Sequence, residues 1–195
     1  MKPLNICEFD EPSHTYRIDG RVVPSVTQVL RDIIPGWSAG EWYLQRGRAV
    51  HACAEMIARG QAFENDPAID GQVAALRRFF REVKPDVLAV ECRVHSADLQ
   101  YGGTYDMLCG VGNKTVLVDY KASLDERVAW QLAGYSQAML PTADVRYGLG
   151  VEITGDGTYR MSAVYDLRRY RQEWLALLTA YRVRRKCGIN EEVAE

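Results

Sequence analysis

The sequence predicts an α/β (α+β) fold in which a mixed central sheet is flanked by helices. Apolar residues recur at helical spacing over residues 69–83, and β-rich runs follow at residues 87–95, 101–111 and 115–122. The predicted order is helices, three strands, a helix, two strands and a final helix. Strands and helices that alternate in this way favour a mixed sheet covered by helices.

Turn and capping signals define the N-terminal elements. Two short β-rich runs at residues 15–23 flank an Asp-Gly pair, which is a strong two-residue hairpin signal. Ser25 is a predicted N-cap, since apolar side chains follow it at helical spacing. Ser38 and Glu41 form a predicted capping box for the next helix, which extends to about residue 59.

The second half of the chain continues the pattern. Residues 112–113 (Gly-Asn) are another two-residue turn signal and join the second and third strands. A helix is predicted over residues 125–140, and strands over residues 145–153 and 158–165. The last helix, residues 166–186, carries apolar side chains on one side and arginines on the other.

The composition is that of a globular protein. The chain has 195 residues, of which 47% are hydrophobic and 26% charged, so we expect one domain over residues 1–195. No apolar run approaches the ~20 residues of a membrane span, and residues 1–10 lack the apolar stretch of a signal peptide. The five cysteines are widely spaced and odd in number, which argues against a disulfide framework and a zinc knuckle. We therefore expect reduced, mostly buried thiols, a cytoplasmic location and no membrane contact.

The distribution of charge indicates a second feature. The net charge of −2 gives no indication of nucleic-acid binding, yet residues 160–186 contain eight basic residues and only two acidic ones. A basic stripe of this kind binds phosphate groups even in a protein that is acidic overall. A solvated helix face is the alternative explanation.

The predicted hairpin of residues 101–122 carries an unusual set of charges. If its loop has two residues, Asp106 lies opposite Asp119 and Lys121 lies opposite Thr104. Directly opposed side chains are ~5 Å apart, and like charges at this separation are destabilising. Because side chains alternate along a strand, Lys121 shares a face with both carboxylates.

Two facing carboxylates need compensating positive charge. Lys121 supplies part of it, and Mg²⁺ or Mn²⁺, which prefer carboxylate oxygens, would supply the rest. The alternative is an Asp119–Lys121 ion pair on a solvated sheet face, with Asp106 exposed beside it. A change of one residue in the loop would shift the register, so the facing geometry is itself a prediction.

Two further pairs of residues lie one helical turn apart. His51 and Glu55 share one face of a predicted helix, where both side chains reach a metal ion or orient its ligands. Gln131 and Tyr135 have the same spacing on the helix that follows Lys121. The alternatives are an ordinary solvated contact for the first pair, and a core tyrosine with an edge glutamine for the second.

Together these elements resemble the PD-(D/E)XK nuclease superfamily, and within it the RecB-type branch that includes mitochondrial genome maintenance exonucleases and phage-type exonucleases. The matching residues, in the family's order, are Gly47, His51 and Glu55 for G-x-x-x-H-x-x-x-E, Asp106 for the aspartate after a small-residue turn, Asp119 and Lys121 for D-x-K, and Gln131 and Tyr135 for Q-x-x-x-Y. Asp119 stands where many members have glutamate, which the family allows. The resemblance covers residues 47–135 and implies a restriction-endonuclease-like fold.

The resemblance also implies phosphodiester hydrolysis with one or two Mg²⁺ or Mn²⁺ ions. The metal ligands that it implies are His51, Asp106, Asp119 and the backbone carbonyl of Tyr120. The catalytic residues that it implies are Lys121, which would act on the attacking water, together with Asp106, Asp119 and Glu55. Gln131 and Tyr135 would contact DNA. Glu91, on the preceding strand, is a further acidic candidate whose orientation the sequence leaves open.

The function that the resemblance implies is a DNA exonuclease of phage recombination, or of DNA repair and end processing. Its partners would be linear DNA with a free end and a recombination or repair protein, in the cytoplasm of a bacterium or a phage-infected host. Residues 37–165 would form the nuclease core, with a hairpin and helix before it (1–36), a basic helix after it (166–186) and a tail (187–195).

Two further expectations follow. Only Cys187 lies near the C-terminal end, so no iron–sulfur cluster is expected. A non-catalytic DNA-binding module, or a subunit of a larger nuclease complex, is the alternative function. Opposed carboxylates argue against that alternative, because DNA binding alone does not require them.

Overall fold

The structure, a computed structural model, describes residues 7–34, 41–140 and 142–188. Its strands are β1 (Cys7–Asp10), β2 (Thr15–Ile18), β3 (Arg21–Val23), β4 (Asp86–Ser96), β5 (Tyr101–Val111), β6 (Lys114–Lys121), β7 (Tyr147–Ile153), β8 (Tyr159–Met161) and β9 (Tyr165–Asp166). Its helices are α1 (Val26–Ile33), α2 (Glu41–Ala58), α3 (Asp70–Val83), α4 (Arg127–Met139) and α5 (Leu167–Lys186), with a short 3₁₀ helix at Pro67–Ile69.

The central sheet has the strand order β4-β5-β6-β7-β8, and β9 also pairs with β7. The β4–β5, β5–β6 and β7–β8 pairs are antiparallel, whereas β6 and β7 are parallel. Parallel neighbours need a crossover connection, and α4 lies in the segment that provides it. The predicted mixed central sheet flanked by helices is therefore confirmed.

The N-terminal strands form a separate three-stranded antiparallel sheet, β1-β2-β3. The predicted hairpin is confirmed, and its turn residues Asp19 and Gly20 have φ angles of 49° and 74°. Positive φ at both positions is the requirement of a type I′ turn. β1 is absent from the predicted elements. Its four residues are too few to show a period-2 pattern, and they form a strand because they pair with β2.

The strand predicted over residues 158–165 is instead two short strands, β8 and β9. Ser162 causes the break: its Oγ accepts a hydrogen bond from the Gly150 N–H at 3.0 Å, and its own N–H donates to the Gly150 carbonyl at 2.9 Å. The Ser162 hydroxyl thus replaces the Ser162 carbonyl as the acceptor for the Gly150 N–H, and regular backbone pairing with β7 is interrupted there.

Each face of the central sheet is covered by a hydrophobic core. One core lies under α2 and α3 and includes Val50, Cys53, Leu76, Phe79, Met107, Val116, Val118 and Tyr120. The other lies under α1, α4 and α5 and includes Val26, Leu30, Tyr105, Leu117, Leu132, Tyr135 and Trp174. Val116, Val118 and Tyr120 alternate along β6 and all pack in the first of these cores.

A side-chain cap marks the start of α1. The Ser25 side chain accepts a hydrogen bond from the Gln28 N–H at 3.0 Å, so the predicted N-cap of α1 is confirmed. Ser38, predicted as half of a capping box, lies outside the described residues. Among the described residues, none of the helices combines the length and the hydropathy needed to span a bilayer.

The five cysteines differ in exposure. Cys53 and Cys109 are buried, Cys7 and Cys92 are half-buried, Cys187 is exposed, and all five are free. The expectation of mostly buried thiols is wrong for Cys187, because α5 ends at Lys186 and leaves the next residue in solvent.

Candidate active site

The candidate site forms where the pairing of the central strands is interrupted. β4 and β5 keep one register on both sides of Glu91 and Asp106, but these two residues are not themselves a pair. Glu91 has a φ of 48°, in the left-handed region that non-glycine residues rarely adopt. A residue held there costs about 1–3 kcal/mol, so the surrounding structure must impose this conformation.

The interruption reverses the direction of the β5 side chains. Tyr105 packs in the core under α4, whereas Met107, two residues later, packs in the core under α3. Residues two apart share a face in a regular strand. The expectation of plain alternation along β5 is therefore wrong here, and Asp106 lies at the reversal.

The β5–β6 pairing follows the predicted register as far as Met107 and Val118 and then ends. The predicted register placed Asp106 directly opposite Asp119, and that prediction is wrong, because the pairing ends before these two residues. Instead, Oδ2 of Asp106 accepts a hydrogen bond from the Tyr120 N–H at 2.8 Å. This side-chain bond takes the place of backbone pairing, and the acidic residues lie where the ladder has ended.

His51 enters this opening from α2. Its Nδ1 lies 3.2 Å from Oδ1 of Asp106, and its Nε2 lies 3.1 Å from the Tyr120 carbonyl oxygen. Both oxygens accept hydrogen bonds, so the geometry suits an imidazolium that donates from both nitrogens. Burial lowers the pKa of His51, but the Asp106 carboxylate outweighs burial and raises this pKa to about 9.

The His51–Asp106 contact also changes the pKa of Asp106, and it lowers this pKa. Burial raises the pKa of Asp106, but the charge of His51 outweighs burial and holds this pKa below its ordinary value. Asp106 is therefore ionised and His51 is protonated across the neutral pH range. The pair is a charged contact between two of the predicted metal ligands.

Glu91 completes a cluster of three side chains with metal-ligating atoms. One such atom from each of His51, Glu91 and Asp106 lies within 4.8 Å of the others. Burial, and after it the Asp106 carboxylate, raise the pKa of Glu91 to about 7. Sequence analysis identified Glu91 as an acidic candidate but left the direction of its side chain open. That direction depends on a left-handed backbone conformation, which no sequence pattern indicates.

Glu55 lies near this cluster but does not join it. Its Oε1 accepts a hydrogen bond from Nε of Arg59 at 3.0 Å and lies 2.8 Å from Nη2 of the same residue, one turn along α2. Its charge also contributes to the raised pKa of Glu91. The catalytic role predicted for Glu55 stays a prediction.

Asp119 is fully buried and is held from two sides. Its Oδ2 lies 2.7 Å from Nζ of Lys121, and its Oδ1 accepts a hydrogen bond from Nε2 of Gln131 at 2.8 Å. Burial raises the pKa of Asp119 to about 6, although Lys121 opposes the increase. Burial lowers the pKa of Lys121, but Asp119 and then Asp106 raise it above its ordinary value, so the ammonium stays charged.

Gln131 and Tyr135 lie beneath Asp119 on α4. Each is only 3% exposed. Gln131 Nε2 also donates to the Tyr135 hydroxyl at 2.9 Å. The contact with DNA that the resemblance implies for both residues stays a prediction.

The N-terminal sheet is attached to β5 close to the site. The Tyr16 hydroxyl and the Thr104 hydroxyl are 2.7 Å apart, and the Gly102 N–H donates to the Pro24 carbonyl at 3.0 Å. Thr104, expected opposite Lys121, thus contacts β2 instead. No sequence signal indicates this attachment, since the partners are 88 residues apart.

The donors in this opening fit a hard divalent cation such as Mg²⁺ or Mn²⁺. They comprise three carboxylates, the Tyr120 carbonyl and the imidazole of His51, which becomes a ligand only when a metal ion displaces its proton. Although Lys121 lies beside it, Oδ2 of Asp119 is buried and receives no hydrogen bond of good angle from any described residue. Buried carboxylate oxygens in proteins are paired with cations or coordinate metal ions, so Oδ2 is suited to a metal ion in addition to Lys121.

Comparison with known proteins gives distant structural matches alone. No family model matches the chain, and none of the curated proteins matches it. A crystal structure of LHK-Exo in complex with dAMP shares 14% identity and a TM-score of 0.42, over 85% of this chain and 93% of that one. A crystal structure of an alkaline exonuclease (LHK-Exo) from Laribacter hongkongensis shares 12% identity and a TM-score of 0.39, over 85% and 94% of the two chains. At these identities and scores, the matches assign neither a family nor a function.

Proposed function

We propose that the protein is a divalent-metal-dependent nuclease that hydrolyses phosphodiester bonds in DNA. The observation that carries the proposal is that four separate sequence elements supply side chains to one opening in the sheet. His51 of the first contacts Asp106 of the second, and Asp119 of the third contacts Gln131 of the fourth. Buried carboxylates this close to one another are costly without added positive charge, and neither hydrophobic core requires them.

The finer assignment rests on the order and identity of these elements. We infer that the chain belongs to the RecB-type branch of the PD-(D/E)XK superfamily, with residues 37–165 as its nuclease core. The reaction inferred from that resemblance is exonucleolytic digestion of linear DNA from a free end, in phage recombination or in DNA repair. A recombination or repair protein would be its partner.

Each residue has a chemical role in this proposal. Asp106, Asp119, the Tyr120 carbonyl and His51, after loss of its proton, would hold one or two Mg²⁺ or Mn²⁺ ions, with Glu91 as a further ligand. A bound metal ion of this kind lowers the pKa of its water and stabilises the attacking and leaving oxygens. Glu55 would act from the edge of the cluster.

Lys121 has the role that its charge dictates. Its ammonium is held charged beside Asp119, and 23% of its side chain is exposed. Lys121 is thus both fixed at the site and accessible from solvent. There it would orient the attacking water and offset negative charge on the phosphate.

Digestion of labelled DNA tests the proposal. Linear and closed circular DNA, each single- and double-stranded, are incubated with Mg²⁺, Mn²⁺ or EDTA. The wild type is compared with Lys121→Ala and with Lys114→Ala, a control for an exposed lysine at the other end of β6. We expect cation-dependent loss of linear DNA, abolished in Lys121→Ala with DNA binding retained, and unchanged in Lys114→Ala.

The other outcomes are equally informative. Cleavage of closed circular DNA would support a nuclease but exclude digestion from a free end only. Full activity of Lys121→Ala would show that the site is elsewhere. An absence of cleavage with retained DNA binding would favour the non-catalytic binding module.

A further inference from the structure

The face of α4 that lies against the site is polar at two buried positions. Gln131 and Tyr135 are one turn apart, and each is only 3% exposed. The neighbouring buried positions of this helix, such as Leu132, Ala133 and Ala138, are apolar and contribute to the core. Burying an amide and a phenol there requires partners for them.

The partners form a chain that ends at Asp119. Gln131 Nε2 carries two hydrogens: one bond goes to Oδ1 of Asp119 at 2.8 Å, and the other to the Tyr135 hydroxyl at 2.9 Å. The amide is oriented by chemistry, since its oxygen would be repelled by the carboxylate. Tyr135 fixes the rotation of the amide, and the amide then fixes one oxygen of Asp119.

The oxygen of the Gln131 amide is left by this arrangement without a partner in the part of the chain that the structure describes. Oε1 of Gln131 is buried and has no hydrogen-bond partner among the described residues. A side chain selected for packing alone would not bury an unpaired carbonyl oxygen at this position. The orientation of the amide is therefore explained by Asp119 and not by the core.

We propose that Gln131 and Tyr135 are positioning residues that hold the Asp119 carboxylate in place for a metal ion, rather than residues that bind DNA. The inference rests on the proposed function. With Oδ1 held by Gln131, Oδ2 is the oxygen that remains toward Lys121 and the cluster. Because both side chains are buried, they act on the reaction through Asp119.

Three variants separate the two roles. Gln131→Met keeps the length of the side chain and removes its hydrogen bonds. Tyr135→Phe keeps the ring and removes the hydroxyl that orients Gln131. Gln137→Met is the matched control, since it makes the same exchange on another face of α4, where the side chain is half-buried.

The measurements are Mn²⁺ affinity by calorimetry without DNA, DNA affinity by fluorescence anisotropy in EDTA, and kcat and KM for digestion. We expect Gln131→Met to weaken Mn²⁺ binding by about 10- to 100-fold, which is typical for loss of a residue that supports a metal ligand. Tyr135→Phe should weaken it less, because Gln131 still reaches Asp119. DNA affinity in EDTA and KM should stay within about twofold, and kcat should fall at limiting metal.

The opposite pattern would overturn the proposal. If Gln131→Met weakened DNA binding and raised KM while leaving Mn²⁺ affinity unchanged, the residue would contact DNA. Should Gln131→Met fail to fold by circular dichroism, Tyr135→Phe decides by the same criteria. If the wild type binds Mn²⁺ without cutting DNA, the proposed nuclease activity is refuted. The Mn²⁺ affinities of the variants still decide whether Gln131 positions Asp119.

Discussion

The charges at the site do not balance residue by residue. Three carboxyl groups, Asp106, Asp119 and Glu91, meet two cationic groups, His51 and Lys121, in an opening of the sheet. The imbalance appears as raised pKa values for Asp119, to about 6, and for Glu91, to about 7. Each ionised carboxylate beyond the second lowers the stability of the metal-free protein. A bound cation would offset that loss.

Glu91→Gln should reveal this cost as a pH dependence of stability. The raised pKa means that the folded state binds a proton which the unfolded state has already lost between pH 4.5 and about 7. In that range the contribution of Glu91 to the stability of the metal-free wild type falls as the pH rises. The variant avoids this loss, so we expect its Tm in EDTA to exceed that of the wild type increasingly up to pH 7 and by a constant amount above it.

Thermal melts from pH 4 to 8 test this expectation. Glu64→Gln, an exposed position in the loop before α3, is the control and should follow the wild type. Parallel curves for Glu91→Gln and the wild type would show that Glu91 carries no such penalty.

Asp119→Asn should separate stability from activity. The side chain keeps its shape and loses the charge whose pKa is raised to about 6. At pH 8 in EDTA we expect a Tm equal to or above that of the wild type, since the cost of burying the charge, and after it the repulsion from Asp106, are relieved. Metal-dependent cleavage should fall by about 100-fold or more. Cleavage at the wild-type rate would show that Asp119 is not part of the site.

At the scale of elements, the position of α4 against β5 depends on the absence of a side chain. A Cβ on Gly103 would lie 2.6 Å from Cε1 of Tyr135 and 3.3 Å from Cγ2 of Val26. The Tyr135 ring fills this space, and its hydroxyl orients Gln131. The geometry of Asp119 therefore depends on how closely a helix approaches a strand.

Gly103→Ala should disturb this packing. The added methyl group must displace Tyr135, and overpacking of this kind costs about 1–3 kcal/mol, or a Tm lower by roughly 2–12 °C in a chain of this size. Gly110→Ala on the same strand is the control, since its Cβ would first meet Asp86 at 3.4 Å, an ordinary contact. Melting curves with and without Mn²⁺ check both. A Gly103→Ala variant as stable as Gly110→Ala would show that Tyr135 moves freely.

The N-terminal sheet also acts at this scale. The Tyr16–Thr104 hydrogen bond and the Pro24–Gly102 backbone bond attach it to β5 two to four residues before Asp106. The strand that carries Asp106 is thus restrained on its N-terminal side by β2 and the start of α1.

Over the whole molecule, the basic segment has a partly structural role. Arg168 and Arg171 both pair with Asp144, and Arg160 pairs with the buried Glu152. Arg182 donates to the Leu99 carbonyl. These four side chains hold α5 and β8 to the rest of the protein, and they are less available to DNA than the sequence suggests.

For two arginines of this segment, phosphate binding stays a prediction. Arg169 and Arg184 form no ion pair with the acidic side chains that the structure describes, and their spacing places them on one side of α5. If each contacts a DNA phosphate, Arg169→Gln combined with Arg184→Gln should lower the slope of log K against log salt by about two. Arg78→Gln on α3, where the arginine pairs with Glu82, should leave the slope unchanged. An unchanged slope in the double variant would favour the solvated helix face.

Helices, strands and the β5–β6 register followed from local information. Apolar period, capping residues and two-residue turns act over a few positions, so they can be read along the chain. The same holds for the identity of the candidate residues, because His51, Asp106, Asp119 and Lys121 are recognisable by type and spacing.

The sequence by itself therefore determined the mixed sheet, its covering helices and the identity of the candidate residues. Only the tertiary structure decided how those residues meet. The left-handed Glu91, the reversal at Asp106 and the burial of Gln131 beneath Asp119 each depend on contacts between distant segments. Local spacing encodes periodicity, whereas the direction of a side chain at a break in a sheet, and the charges that surround it, are set by the elements packed around that break.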